Sequence, residues 1–167
     1  MASFHVNGQP VVVHQNDQLP LIDVLRNHLD LRATRLGCGL GQCGACHVWV
    51  DGQSLPACDT PVWAVQDKHV ITAEVNLAQP ALSNNERACT VLRALQEAFV
   101  LEQAAQCGFC TSGILMSATA LLQQHTEPSV ERIHAALDRH LCRCGAHLRI
   151  VRAIQRAARS LRDEVSA

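Results

Sequence analysis

Eight of the nine cysteines fall into two groups of four. Cys38, Cys43, Cys46 and Cys58 read C-x4-C-x2-C-x11-C, the ligand spacing of a plant-type [2Fe–2S] cluster. Soft thiolates suit an iron–sulfide core. Such a core is anionic and needs backbone N–H groups close to its sulfurs. Gly39, Gly41 and Gly44 lie between these cysteines; they tolerate positive φ and let the backbone approach closely. N–H groups held this way stabilise added negative charge. Ala45 is small for the same reason.

The second group is Cys107-x2-Cys110 and Cys142-x-Cys144, separated by 31 residues. Four thiols at this spacing suit either a second cluster or a tetrahedral zinc, and His147 adds a Cys-x2-His zinc reading. A cluster with two histidine ligands is disfavoured, because the chain has no Cys-x-His pair. Both cysteine pairs stand just before helical patterns, whose free N–H groups favour an anion. The ninth cysteine, Cys89, shares a helical face with Ala88, Leu92 and Leu95 and reads as a small buried apolar residue.

The elements that must position these thiols follow from periodicity. Residues 3–6 and 11–14 are β-prone, and Asn7-Gly8 between them marks a hairpin turn. Asp17 to Pro20 opens a helix carrying Leu21, Val24, Leu25 and Leu29, with Pro20 in the first turn. His47 to Asp51 is a strand turned by Asp51-Gly52, and Val70–Val75 is the last strand of this half. Together these predict an α+β chain whose N-terminal part is a β-grasp ferredoxin domain. Residues 76–86 lose all period, so the boundary is placed there: residues 1–78 form the ferredoxin domain and 79–167 a helical one. The helical part has four apolar stripes. They are Ala88, Val91, Leu92, Leu95 and Phe99; a helix from Ser112 to Gln124; one from Pro128 to His140; and Leu148, Val151, Ile154, Ala158 and Leu161. These predict a four-helix bundle.

Composition narrows the function classes. With 14 basic against 15 acidic residues, bulk charge does not favour nucleic acid or an anionic membrane. At 3% aromatics and no Tyr, base-stacking platforms are poorly supported. The N-terminus shows neither a signal-peptide pattern nor a twin arginine, and no stretch approaches a membrane span. The expectation is a cytoplasmic chain whose thiols serve metals.

Three runs carry a resemblance: Gly37 to Cys46, Gln106-Cys107-Gly-Phe-Cys110-Thr-Ser-Gly113, and Leu141-Cys142-Arg-Cys144-Gly145. In order and layout the chain resembles the iron–sulfur subunit of the xanthine oxidase family of molybdenum hydroxylases. The resemblance implies two [2Fe–2S] clusters. It also implies a large partner subunit holding molybdenum on a pterin dinucleotide and hydroxylating an N-heterocycle or an aldehyde. Cys107, Cys110, Cys142 and Cys144 would hold the cluster near the pterin, with Gln106 and Cys144 beside it. Cys38, Cys43, Cys46 and Cys58 would hold the cluster toward the exit. Gly145 to Ile150 is similar to the two-component isoquinoline oxidoreductase and nicotinate dehydrogenase type, which implies an external electron acceptor such as a cytochrome, a flavin subunit being the lesser alternative. Three positions depart from the pattern: Ser112 stands in place of a proline and is expected to cap a helix, Ala146 in place of a threonine, and Val75-Asn76 in place of Gly-Leu.

Arg149, Arg152, Arg156, Arg159 and Arg162 repeat at helical steps and read as a solvated face, the sharper reading being a docking stripe. Trp49 and Trp63 read as core or interface residues. The competing functions are a stand-alone two-cluster ferredoxin and a single-cluster protein with a structural zinc.

Overall fold

The computed structural model describes residues 1–14, 18–75 and 85–165. Strands β1 (Ala2–Val6) and β2 (Gln9–Val13) form the expected hairpin. Its turn places Asn7 at φ 51° and Gly8 at φ 84°, as a tight primed turn requires. Helix α1 (Leu21–Asp23) runs on into a wider π turn at Val24–His28, and Pro20 stands just before it. Strands β3 (His47–Val50) and β4 (Gln53–Pro56) make a second hairpin around Asp51-Gly52. A 3-10 turn at Val62–Val65 leads to β5 (His69–Ile71).

The five strands form one mixed sheet in the order β2-β1-β5-β3-β4. β5 runs parallel to β1 and antiparallel to β3. The last strand of this half is thus the middle of the sheet, though it ends at Ile71 rather than Val75. β4 was not predicted; its polar Gln53 and Ser54 hide it. The predicted domain boundary between residues 78 and 79 lies outside the described residues, as do Asp17 and Asn76.

Helices α2 (Glu86–Leu101), α3 (Thr111–Gln124), α4 (Val130–Leu137) and α5 (His147–Val165) follow. α2 packs on α3 and α5, and α4 on α3 and α5. The helix predicted over Pro128 to His140 is shorter, because Ser129 caps it by accepting from the Arg132 N–H at 3.3 Å and it ends at Leu137. Leu148 departs from its predicted apolar stripe and is 78% exposed; Val151, Ile154 and Ala158 of that stripe are buried as expected, and Ile150, Ala153 and Ala157 complete the inner face. Cys89 is fully buried in this core, as expected.

β3 joins the two halves. All four of its residues are buried. Alternate side chains point to opposite faces of a sheet, and here the faces belong to different cores. Val48 and Val50 pack with Phe4, Leu21, Leu25 and Val70. Trp49 packs with the helices and donates its indole N–H to Gln123 Oε1 of α3 at 2.6 Å. Trp63, by contrast, is 53% exposed and is not a core residue. The arginine stripe is partly committed within the chain: Glu102 accepts from Arg156 at 2.6 Å and lies 3.7 Å from Arg152, and Arg162 pairs with Glu127.

Candidate metal centres

The first loop wraps backbone donors around sulfur. The N–H groups of Leu40 and Gln42 each donate to Cys38 Sγ at 3.3 Å. Cys38 N–H reaches Cys43 Sγ and Gly41 N–H reaches Cys58 Sγ, both at 3.3 Å. Gly39, Gly41 and Gly44 hold φ of 71°, 66° and 74°, the conformation that turns these N–H groups inward. At Gly37 the requirement is space, since a Cβ there would lie 2.6 Å from Cys43 Sγ.

The thiol environments differ. N–H donation from Leu40 and Gln42 lowers the Cys38 thiol to about 7. Burial pushes Cys46 up to about 12, and the neighbouring Cys58 thiol adds to the rise. At the second set, Phe109 N–H and the Cys144 thiol lower Cys107. Burial again pushes Cys110 up to about 12, with Cys142 beside it. Burial raises Cys142 too, yet N–H groups of Ala146, Cys144 and Gly145 leave it below the usual thiol range. Metal binding to such thiols releases their protons.

The thiols meet in twos. Cys38 adjoins Cys43, and Cys46 adjoins Cys58. Cys107 and Cys144 lie 3.5 Å apart, and Cys110 adjoins Cys142. Among the described residues no three His, Cys, Asp or Glu side chains gather as a single-ion site. Pairs of thiols, two pairs to a site, fit a two-iron core in which each iron takes two cysteines. Cys110 sits at the N-terminus of α3, and Cys142 and Cys144 stand just before α5. Gln106 donates from Nε2 to the Cys144 carbonyl at 3.3 Å. Ser112 does not cap α3; the cap position is Cys110, and Ser112 Oγ is buried with no hydrogen-bond partner.

Between the two thiol sets lies a buried polar cluster that periodicity gave no reason to single out. Ser117 Oγ of α3 lies 3.2 Å from His47 Nδ1, 2.6 Å from Ser54 Oγ and 3.0 Å from His140 Nε2. His47 Nδ1 also meets Ser54 Oγ at 2.7 Å, and the two imidazoles pack edge to face at 4.7 Å. Burial depresses both histidines to about 4, with His140 and Arg139 contributing at His47. Beside them, Gly44 stands where a Cβ would come within 2.6 Å of the His140 ring, and a Cβ on Gly113 would collide with Gly44 O. The one available signal was the alternation of β3, which puts His47 on the same face as Trp49.

Comparison with known proteins agrees with this geometry. Residues 4–92 match the 2Fe-2S iron-sulfur cluster binding domain, and residues 81–155 match the [2Fe-2S] binding domain. The chain is 43% identical over 160 residues to a nicotinate dehydrogenase subunit of Pseudomonas putida, covering 96% of each chain. It is also 43% identical to the alpha subunit of isoquinoline 1-oxidoreductase from Brevundimonas diminuta, covering 95% of this chain and 98% of that one. Quinoline 2-oxidoreductase from Pseudomonas putida 86 contains a chain that superposes with a TM-score of 0.80 at 29% identity, with 97% and 95% of the two chains covered. With both [2Fe–2S] domains matched in order and full-length relatives of this kind, the chain belongs to the iron–sulfur subunits of the xanthine oxidase-type hydroxylase family.

Proposed function

We propose that this chain is the electron-transfer subunit of a molybdenum hydroxylase. It carries electrons one at a time through two [2Fe–2S] clusters, from a pterin-bound molybdenum in a large partner subunit to an external acceptor. The thiol pairing carries this reading: two pairs of thiols per site suit a core in which each iron takes two cysteines. Cys38 and Cys43 hold one iron of the first cluster, Cys46 and Cys58 the other. Cys107 and Cys144, then Cys110 and Cys142, do the same for the second. Hydroxylation of an N-heterocycle or aldehyde releases two electrons on the partner, and the two clusters accept them singly.

The second cluster is the receiving end. Gln106 and Cys144, tied to one another, face the partner's pterin. Exposed Val100, Leu101, Phe109 and Leu148 on α2, α5 and the loop before α3 support a covered surface around that end. Cys38 is exposed at the other end, flanked by exposed Leu36 and Leu40, where a cytochrome acceptor docks. The organisation proposed with it is a ferredoxin domain over 1–78 and a four-helix bundle over 79–167, working in the cytoplasm. Among the described residues no helix is long and apolar enough to cross a membrane.

Iron, zinc and acid-labile sulfide analysis with EPR of the reduced protein tests the reading. Two distinct [2Fe–2S] signals are expected. One signal accompanied by stoichiometric zinc would overturn it.

A further inference from the structure

We propose that Ser117, bridging His47 and His140, is a positioning residue that fixes the distance between the two cluster loops and thereby sets the rate at which an electron passes from the second cluster to the first. This inference rests on the two-cluster reading above.

Each member of the bridge is covalently close to a cysteine of one set. His47 follows Cys46, Ser117 lies on the helix that Cys110 opens, and His140 precedes Cys142 by two residues. The bridge is buried: Ser117, His140 and His47 are 5%, 6% and 8% exposed, and with His47 Nε2 already without a partner the Nδ1 contacts are what tie that ring. Buried polar groups are strongly disfavoured without partners, so the bonds to Ser117 hold the two loops in one register. Apolar packing alone would let them slide. Beside the bridge the loops are pressed together, with contacts that leave no room for a side chain at either glycine. Gly113 approaches Gly44 O, Gly44 approaches the His140 ring, and the Cys43 carbonyl accepts from the Leu141 N–H at 3.1 Å. Hydrogen bonds pull the loops together, and the glycines set how close they come.

Spacing of this kind has a direct electron-transfer consequence. One electron leaves an iron of the reduced second cluster and reduces an iron of the oxidised first cluster; no bond forms and no proton is required. Tunnelling falls off exponentially with distance, so a loop displaced by a fraction of an ångström changes the rate. Supporting contacts that hold a site to that tolerance are part of its function.

The test uses the intact subunit in its native complex. Ser117→Ala removes the hub. Iron content and the g-values of each cluster are expected to stay as in the native protein. The spin–spin splitting seen by EPR when both clusters are reduced is expected to shrink, and inter-cluster transfer after rapid reduction to slow by about twofold, as a loop shift of about 0.5 Å would produce. His140→Gln keeps an amide that can meet Ser117 Oγ and is expected to retain native splitting and rate, whereas His140→Leu loses both. A Ser117→Ala protein of lowered stability with unchanged splitting and rate would show domain glue only and overturn the proposal. If Ser117→Ala loses iron, the two His140 variants decide, and identical splitting in that pair overturns it as well. The native spectrum separately tests the two-cluster reading.

Discussion

The carbonyl of Cys43 accepts a hydrogen bond from the N–H of Leu141 at 3.1 Å. One partner belongs to the first thiol set, and the other immediately precedes Cys142 of the second. Both groups are main-chain, so ordinary side-chain substitutions leave the bond in place. Leu141 itself is 69% exposed, which separates the two roles of the residue cleanly.

Leu141→Pro removes the donor, and Leu141→Ala does not. Losing the donor to the Cys43 carbonyl, with the steric demands of proline, is expected to destabilise by about 2–3 kcal/mol. The alanine variant should stay within about 0.5 kcal/mol of the native protein. Thermal unfolding of both variants checks this, and equal midpoints would refute it.

Gly37→Ala should act on one cluster alone. Its Cβ would stand 2.6 Å from Cys43 Sγ, inside the first site and far along the chain from the second. The expected outcome is loss of half the iron and of one EPR signal, with the other signal unchanged. Loss of both signals together would argue against independent assembly.

Gly113→Ala should be among the most damaging single methyl additions in the chain, because its Cβ collides with the Gly44 carbonyl, a backbone atom that cannot swing aside. Overpacking of this kind costs about 3 kcal/mol. Gly52→Ala is the matched control: φ is 93° but no atom lies within 4 Å of the added Cβ, so only backbone strain remains, about 1 kcal/mol. Urea denaturation of the pair measures the difference.

Glu102→Gln tests the tie between α2 and α5. Glu102 is held by Arg156 at 2.6 Å and Arg152 at 3.7 Å, with the arginine side chains 48% and 62% exposed and that of Glu102 17% exposed. Pairs whose cations stay in water contribute little, about 0.2–1 kcal/mol, and the half-buried carboxylate puts this one at the upper end. The loss should be no more than about 1 kcal/mol at low salt and should fade as salt is added. A larger, salt-independent loss would mean that Glu102 is doing something other than pairing charge.

The cysteine spacings, the two primed turns and the α2 stripe were legible because each depends on local chemistry. Asn7-Gly8 and Asp51-Gly52 adopt positive φ wherever they stand in a fold. β5 was harder to place, since its central position depends on pairing with β1, some sixty residues away. Ser112 misled because its neighbour Cys110 takes the cap position. Leu148 misled because an exposed leucine fits a helical period as well as a buried one does. The His47–Ser117–His140 bridge was invisible for a further reason: its members come from three separate stretches, and only the packing of α3 on β3 brings them together.

The glycine contact between Gly44 and Gly113 has a consequence for how such chains can be recombined. A ferredoxin half borrowed from a free-standing protein could carry every cysteine in place and still not fit here. Any side chain at position 44 or 113 meets the opposite half before the surfaces close. The two halves are therefore matched parts, and a working chimera must be cut so that both glycines travel as a pair.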